Sequence, residues 1–283
     1  MSNGKKYTLG IYEKALPSTL SWVEKLSFAK EVGYDFLEIS IDETDAKLAR
    51  LDYTDEEKDV FVSAMKETGL PIRSLCLSGH RKYPLGSHDP QIVEKSLEIM
   101  RKTLDFADYL GIRIIMLAGY DVYYEDSDEG TRERFEKNLV TCTRMAAQYG
   151  ITLAFETMET PFMNTCAKAM KHVHAVNNAF LQVYPDLGNI SNAATDAHSD
   201  VLSDLSSCKG HIVAMHLKET VPGKYRDMMY GDGDVQFQPA IDLAWSMGVR
   251  RFVTEFWYLG NKDWKKDVQF AYNFNAKLLE KED

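Results

Sequence analysis

The sequence has little that would mark a secreted, membrane-spanning or disulfide-rich protein. No uninterrupted apolar run approaches the ~20 residues that a membrane-spanning helix needs. The N-terminal stretch MSNGKKYTLG lacks the apolar core of a signal peptide. The cysteines include no CxxC pair, which argues against a zinc–thiolate site or a disulfide framework; they are Cys76, Cys142, Cys166 and Cys208. We therefore predict a cytoplasmic protein with reduced thiols.

Basic residues are also in short supply. The chain of 283 residues has 33 lysines and arginines against 43 acidic residues, which gives a net charge of -10. Nucleic acids and anionic membrane surfaces both require basic patches on the protein that binds them. The composition therefore argues against a nucleic-acid partner and against a membrane partner. The hydrophobic share of 45% and the charged share of 27% are typical of a globular domain.

Apolar runs of strand-like composition alternate along the chain with stretches of helical periodicity. The strand-like runs span residues 7–12, 36–41, 72–78, 112–120, 151–158, 180–189, 211–219 and 251–258. Between two of them, residues 92–110 place apolar side chains at spacings of three and four, as an amphipathic helix does.

A glycine precedes five of these runs, where a helix would end. Glycine accepts the left-handed conformation of a helix C-cap, so it marks helix-to-strand junctions; these glycines are Gly33, Gly69, Gly111, Gly150 and Gly248. Eight such alternations predict an α/β protein with a (β/α)8 TIM barrel, and a doubly wound sheet is the weaker alternative. No linker or change in composition divides the chain, so we predict one domain over residues 1–283.

Four consecutive predicted strands, the fifth to the eighth, end in polar residues. These are Glu156, Asp186, His216 and Glu255. Side chains alternate along a strand, so Ala154 should share the inward face with Glu156. In the seventh strand the same rule predicts Ala214 and Ile212 inward with His216, and Val213 outward. In a TIM barrel such strand ends meet at the mouth, where active sites lie.

Three carboxylates and one imidazole at a single place require a compensating cation. Oxygen-rich ligation with one histidine suits Mn²⁺, Mg²⁺, Co²⁺ or Zn²⁺. We therefore predict a divalent metal site formed by Glu156, Asp186, His216 and Glu255. The alternative is that each residue caps a strand or pairs locally. That interpretation suits single residues better than four residues on consecutive strands.

The segments that carry these residues resemble those of the xylose-isomerase-like barrels of sugar isomerases and epimerases. They read FETM around Glu156, YPDLGN around Asp186, MHLKE around His216 and TEFW around Glu255. Further segments, including LGIYEKALP, CLSGHRKYPLGS and AGYDVYYE, resemble the family of L-ribulose-5-phosphate 3-epimerases of bacterial ascorbate degradation. That family is also described as L-xylulose-5-phosphate 3-epimerases, and relatives are labelled hexulose-6-phosphate isomerases.

The resemblance implies a metal-dependent isomerase that inverts C3 of a phosphorylated ketopentose. In the family, the four strand-end residues hold the metal, and the two glutamates transfer protons on opposite faces of the sugar. Carried over, Glu156 and Glu255 are the catalytic pair. A metal at the substrate's oxygens stabilises the enediolate, and inversion requires a second acid on the far face. The resemblance also implies a homodimer.

A sugar phosphate also needs cations and a pocket wall. Lys218 and Arg226 follow the metal histidine and are our first choice for the phosphate, and His80 and Arg81 are the second. Unphosphorylated ketose epimerases often carry a histidine at the position of Asn189. The remaining candidate substrate contacts are Glu159, at a spacing that differs from the family's second carboxylate, and Tyr12, Glu13 and Trp257 at strand ends.

Two other functions remain open from the sequence. An aldose–ketose isomerase acting on a hexose or pentose phosphate would use the same kind of site. A metal-dependent endonuclease for abasic DNA also shares this barrel type, but it would need more histidine ligands and a basic face. The net charge of -10 disfavours the endonuclease.

Overall fold

Eight parallel strands form one sheet in the computed structural model, which describes residues 5–280. The strands are β1 (Thr8–Tyr12), β2 (Phe36–Ile41), β3 (Ile72–Leu77), β4 (Ile114–Ala118), β5 (Thr152–Glu156), β6 (Leu181–Tyr184), β7 (Met215–Leu217) and β8 (Arg251–Thr254). Their order in the sheet is β6-β5-β4-β3-β2-β1-β8-β7. Two isolated parallel bridges, Val183 with Ile212 and Asp186 with His216, join β6 to the β7 segment. The predicted barrel is therefore confirmed.

Helices separate the strands and cover the outside of the barrel. They are α1 (Trp22–Val32), α2 (Asp45–Leu48), α3 (Asp55–Thr68), α4 (Pro90–Tyr109), α5 (Glu129–Tyr149), α6 (Cys166–Val176), α7 (Leu187–Ala197), α8 (Val201–Ser206), α9 (Phe237–Ser246) and α10 (Trp264–Leu279). The helix predicted over residues 92–110 corresponds to α4. Across residues 5–280, none of these helices is long and apolar enough to cross a membrane.

Helix ends follow the local signals in the sequence. Ser21 and Glu24 form a capping box at the start of α1, in which each side chain bonds the other residue's backbone N–H. Gly33 ends the same helix with a φ of 117°, and Gly150 ends α5 with a φ of 64°. Residues with a Cβ rarely adopt these conformations, which is why glycine stands at these predicted junctions.

The core has two layers, one on each side of the sheet. In β5, Leu153 and Phe155 pack against the helices, whereas Ala154 faces the barrel interior, as predicted. The interior is filled tightly. A Cβ added to Gly10 in β1 would lie 2.4 Å from the Phe36 ring of β2, so the glycine makes room for that ring.

The predicted β2 matches the observed strand, but most predicted strands are too long, and β6 and β7 are the most overestimated. For β7, the prediction covered residues 211–219, but only Met215–Leu217 forms a strand. Ala214 faces the interior as predicted, but Ile212 packs with the outer layer and Val213 with the interior, the reverse of the prediction. Period-two alternation holds only in a continuous strand, and the backbone before Met215 is irregular.

Candidate active site

The four polar strand ends converge at the mouth of the barrel. Glu156 is the last residue of β5, His216 lies within β7, and Glu255 directly follows β8. Asp186 lies two residues beyond β6 and is the N-cap of α7, with its carboxylate accepting the N–H of Asn189 at 2.6 Å. One ligand atom from each of the four residues lies within 4.8 Å of the others. The geometry predicted from the strand order is present.

The contacts among these side chains fit a metal site. His216 Nδ1 lies 2.6 Å from Glu255 Oε2, 3.5 Å from Glu156 Oε1 and 3.8 Å from Asp186 Oδ2. Asp186 Oδ2, His216 Nδ1 and Glu255 Oε2 are buried and form no hydrogen bond within residues 5–280. Buried polar atoms that lack hydrogen bonds are costly, although Asp186 Oδ2 has the Lys218 ammonium 3.0 Å away. A divalent cation would satisfy them together, and three carboxylates with one imidazole form a suitable donor set.

The electrostatics of the cluster also indicate that it needs a cation. Burial raises the pKa of the Asp186 carboxyl, although the Lys218 ammonium opposes this effect. Burial would lower the pKa of His216, but the carboxylates of Glu255 and Glu38 raise it well above its usual value. The concentrated negative charge therefore favours a positive charge at this place.

A small pocket of about 50 Å³ opens above the cluster. Most of the side chains predicted to contact substrate line it. These are Tyr12, Arg81, Glu156, Glu159, Asn189, Lys218, Arg226, Glu255 and Trp257. Lys14, Cys76, Ser78, Met158 and Tyr225 complete the lining. Asp186 and His216 lie beneath, with no exposed surface.

Two of the predicted phosphate ligands, Arg81 and Arg226, share one carboxylate of the pocket wall. Each guanidinium lies 3.6 Å from Glu159 Oε1. The hydroxyl of Tyr120 donates to Glu159 Oε2 at 2.7 Å and accepts from Arg81 at 3.1 Å. Because two cations share one carboxylate, this side of the pocket keeps an excess of positive charge.

Lys218 occupies a deeper position than the arginines. Its ammonium lies 3.0 Å from Asp186 Oδ2 and donates to Asn189 Oδ1 at 2.8 Å. Burial would lower the pKa of Lys218, but Asp186 and Glu255 raise it, so the side chain is cationic. The Trp257 ring lies 6.0 Å from the Lys218 ammonium and 5.8 Å from the Arg226 guanidinium. It therefore forms a wall between the deep cation and the outer one.

The structure does not bring Glu13 and His80 into the pocket. Glu13 is 2% exposed and is held by Arg50, Lys47 and the backbone N–H of Ser40. His80 is also buried, and its Nε2 lies 3.2 Å from the carbonyl oxygen of Ser96. Burial lowers the pKa of His80 to about 4, so the ring is neutral near pH 7 and unsuited to bind phosphate.

The sequence interpretation missed two residues that matter for the site. Lys14, the residue after Glu13, lines the pocket and was not among the predicted residues. Glu38 in β2 contacts His216 Nε2 through Oε1 at 2.6 Å. The signal for Glu38 was present in the run FLEISI, a carboxylate within an apolar strand, but it does not stand at the strand end.

The barrel and its site define the class of protein. A family model described as a xylose isomerase-like TIM barrel matches residues 26–274. Among solved structures, D-allulose 3-epimerase from Methylomonas sp. superposes with a TM-score of 0.78 at 19% identity, covering 96% of this chain and 97% of that chain. A xylose isomerase-like barrel from Mycobacterium smegmatis in complex with magnesium gives a TM-score of 0.69 at 16% identity, covering 99% and 100%. These two likenesses show the fold.

Sequence similarity narrows the class to one family. The chain is 46% identical over 254 residues to an L-ribulose-5-phosphate 3-epimerase of Salmonella typhimurium, covering 89% of this chain and 88% of the relative. The chain therefore belongs to the L-ribulose-5-phosphate 3-epimerase family of xylose isomerase-like barrels, and the predicted family is confirmed. It is an enzyme of the isomerase class, and its relatives support epimerase activity.

Proposed function

We propose that the protein is a metal-dependent epimerase that interconverts L-ribulose 5-phosphate and L-xylulose 5-phosphate by inverting C3. The observation that carries this proposal is the convergence of two buried glutamates, one aspartate and one histidine beneath a cationic pocket. The relative from Salmonella typhimurium supports the choice of substrate. A place in bacterial ascorbate degradation follows from the same family resemblance.

Inversion at carbon needs one group that removes a proton and another that returns a proton to the opposite face. Glu156 and Glu255 come from β5 and β8, and the strands that carry Asp186 and His216 lie between them. Both glutamates line the pocket although each is only 5% exposed. They can therefore reach a bound sugar from two sides while bulk water is largely excluded.

The donor set for the metal is Glu156, Asp186, His216 and Glu255. When bound there, a divalent metal supplies positive charge beside the substrate's oxygens, which stabilises the negative charge that develops as the proton leaves C3. Asp186 is fixed for this role by its bond to the N-terminus of α7. Lys218 neutralises part of the cluster and presents a further donor to the sugar.

The phosphate is assigned to the outer cations of the pocket. Arg226 and Arg81 can each donate two N–H groups to phosphate oxygens, and Lys14 adds a point charge. A bound phosphate dianion would replace part of the negative charge that Glu159 now supplies to both arginines through ion pairs at 3.6 Å. Trp257 packs against the sugar between this end and the metal.

A substrate screen combined with metal analysis tests the proposal. Purified protein is analysed for bound divalent metal and incubated with L-ribulose 5-phosphate, with unphosphorylated L-ribulose and with a hexulose 6-phosphate. We expect L-xylulose 5-phosphate from the first compound and little turnover of the other two. Formation of an aldose phosphate would contradict the proposal and favour the aldose–ketose isomerase, because that product differs in connectivity.

A further inference from the structure

A buried network behind the candidate metal site fixes the orientation of its histidine. Glu38 accepts from His216 Nε2 at 2.6 Å through Oε1. Its other oxygen, Oε2, accepts from the hydroxyl of Ser74 at 2.6 Å and from that of Tyr184 at 2.8 Å. All four side chains have no exposed surface. The network therefore joins strands β2, β3, β6 and β7 across the barrel interior.

The backbone of β3 is irregular at the point where Ser74 meets Glu38. In the pairing of β2 with β3, Leu37 lies opposite Ile72 and Glu38 opposite Ser74, so Arg73 is an extra residue in β3. Such an irregularity re-aims side chains and is frequent next to active sites. It brings the Ser74 hydroxyl to Glu38. The Tyr184 ring also packs edge-on against the His216 ring, with centroids 5.0 Å apart.

The hydrogen-bond pattern determines which histidine nitrogen can bind a cation. Oε2 of Glu38 already accepts two hydroxyl donors. The ionised carboxylate has no proton to donate, so its contact with His216 Nε2 through Oε1 requires an N–H group on that ring nitrogen. The proton of a neutral His216 ring must therefore reside on Nε2. Nδ1 then carries a free lone pair, and this is the atom directed at Glu255, Glu156 and Asp186.

We propose that Glu38 is the positioning residue of the metal centre, which holds His216 in the Nε2–H tautomer and leaves Nδ1 as the metal ligand. This proposal rests on the metal site of the proposed function and deepens it. Partners behind a metal ligand commonly change metal affinity by about 10- to 100-fold. Glu38 touches neither the pocket nor the substrate, so its effect must pass through His216.

The test is a metal-binding measurement on Glu38→Gln. A glutamine that accepts from Nε2–H must turn its NH₂ group toward two hydroxyl donors, whereas the reverse orientation drives the histidine proton onto Nδ1. Either outcome weakens the site. We expect the Kd for Mn²⁺, measured by equilibrium dialysis, to rise about 10- to 100-fold relative to the wild type.

The matched control is Glu98→Gln on α4, which alters a glutamate that pairs with Lys95 and Lys102 rather than with the metal residues. It should leave the Kd for Mn²⁺ unchanged. A Kd for folded Glu38→Gln within twofold of the wild type would overturn the role of Glu38. A wild-type protein that binds no divalent metal would instead overturn the metal site itself, so the two failures are distinguishable.

A second measurement needs no variant and decides the matter if Glu38→Gln does not fold. In Zn²⁺-loaded wild-type protein labelled with ¹⁵N-histidine, NMR should show His216 protonated at Nε2, with a metal-shifted Nδ1. A proton on Nδ1 with zinc on Nε2 would contradict the proposal. The other histidines serve as internal references.

Discussion

At the scale of single residues, the cationic side chains of the pocket differ in how deeply they are buried. The buried and the exposed cations therefore have different roles. Lys218 is buried against Asp186 and Asn189, so its charge is committed to the cluster. Arg226 has a side chain that is 45% exposed and has only Glu159 as an ion-pair partner within residues 5–280. An incoming phosphate can therefore recruit Arg226 without breaking a buried ion pair.

We predict that Arg226→Met weakens the binding of phosphorylated substrate. Loss of a charge-assisted hydrogen bond costs about 1.5–3 kcal/mol, which corresponds to a rise in KM of roughly 10- to 100-fold. The kcat should change little, because the phosphate does not react. Steady-state kinetics with L-ribulose 5-phosphate measure both constants.

Arg132→Met, an exposed arginine on α5, is the matched control and should leave KM unchanged. Slow turnover of unphosphorylated L-ribulose should be equally insensitive to Arg226→Met. If the KM of the phosphorylated substrate stays at the wild-type value, Arg226 does not bind the phosphate.

The residues of the candidate metal cluster were predictable from the sequence for a physical reason. Glu156, His216 and Glu255 are isolated polar residues at the ends of apolar strands, and parallel strands bring such ends together. Glu13 and Lys14 are adjacent beyond β1, where no alternation rule applies, and the sequence interpretation named Glu13 but not Lys14. Their orientation depends on Arg50 and Lys47, which come from a distant part of the chain.

At the scale of elements, the Glu13 side chain links the end of β1 to the connecting segment between β2 and α3. Its carboxylate accepts from Arg50 at 2.8 Å and from Lys47, and the Lys25 ammonium of α1 lies 3.6 Å away. Burial would raise the pKa of Glu13, but Arg50, Lys47 and Lys25 hold it well below its usual value. This buried ion cluster thereby fixes the segment that carries Lys14.

We predict that Glu13→Gln destabilises the fold by about 3–5 kcal/mol at pH 7, because it leaves buried cations without a counter-charge. The folded pKa of Glu13 lies below its unfolded value of about 4.3, so its contribution is present above that pH and is lost as the pH falls below it. The free energy of unfolding of the variant should therefore depend less on pH below about 4.3 than that of the wild type. Urea unfolding between pH 3 and 7 measures both effects.

The control is Glu98→Gln on α4. Lysines lower the pKa of Glu98 to about 2, but the side chain is 36% exposed, so solvent screens its ion pairs. We expect the free energy of unfolding of Glu98→Gln to fall by less than about 1 kcal/mol. A similar loss of stability in both variants would contradict the structural role assigned to the Glu13 cluster.

Element types were easier to predict than element ends. The glycine junctions, the helix over residues 92–110 and all eight strands were evident because each depends on neighbours in sequence. The shortness of β7 and the inverted positions of Ile212 and Val213 were not, because they depend on how this segment closes the barrel against β6. Likewise, the irregular pairing that brings Ser74 to Glu38 has no local sequence signal.

At the scale of the whole molecule, the candidate metal site lies where the two ends of the sheet meet. Asp186 and His216 form one of the two bridges between the β6 and β7 segments, and both belong to the donor set. A bound metal would therefore connect the β6 and β7 segments, where the strand pairing of the barrel is least regular. Ligands that bind only the folded state stabilise it by mass action.

We predict that a chelator lowers the Tm and abolishes activity, and that added Mn²⁺ or Mg²⁺ restores both. At a free metal concentration of 100 times Kd, the expected stabilisation is about 2.7 kcal/mol. Thermal unfolding with and without metal measures it. The variant Glu255→Gln, which lacks one carboxylate of the donor set, should respond less. A Tm and an activity that are both insensitive to chelation would contradict the metal assignment.

The central claim is that Glu156 and Glu255 invert C3 by proton transfer. Its most direct test is the reaction of L-ribulose 5-phosphate in heavy water, followed by NMR of the product. A proton removed by one carboxylate and replaced by the other is exchanged with solvent. We therefore predict L-xylulose 5-phosphate that carries deuterium at C3. Epimerised product that retains its original hydrogen at C3 would contradict the account.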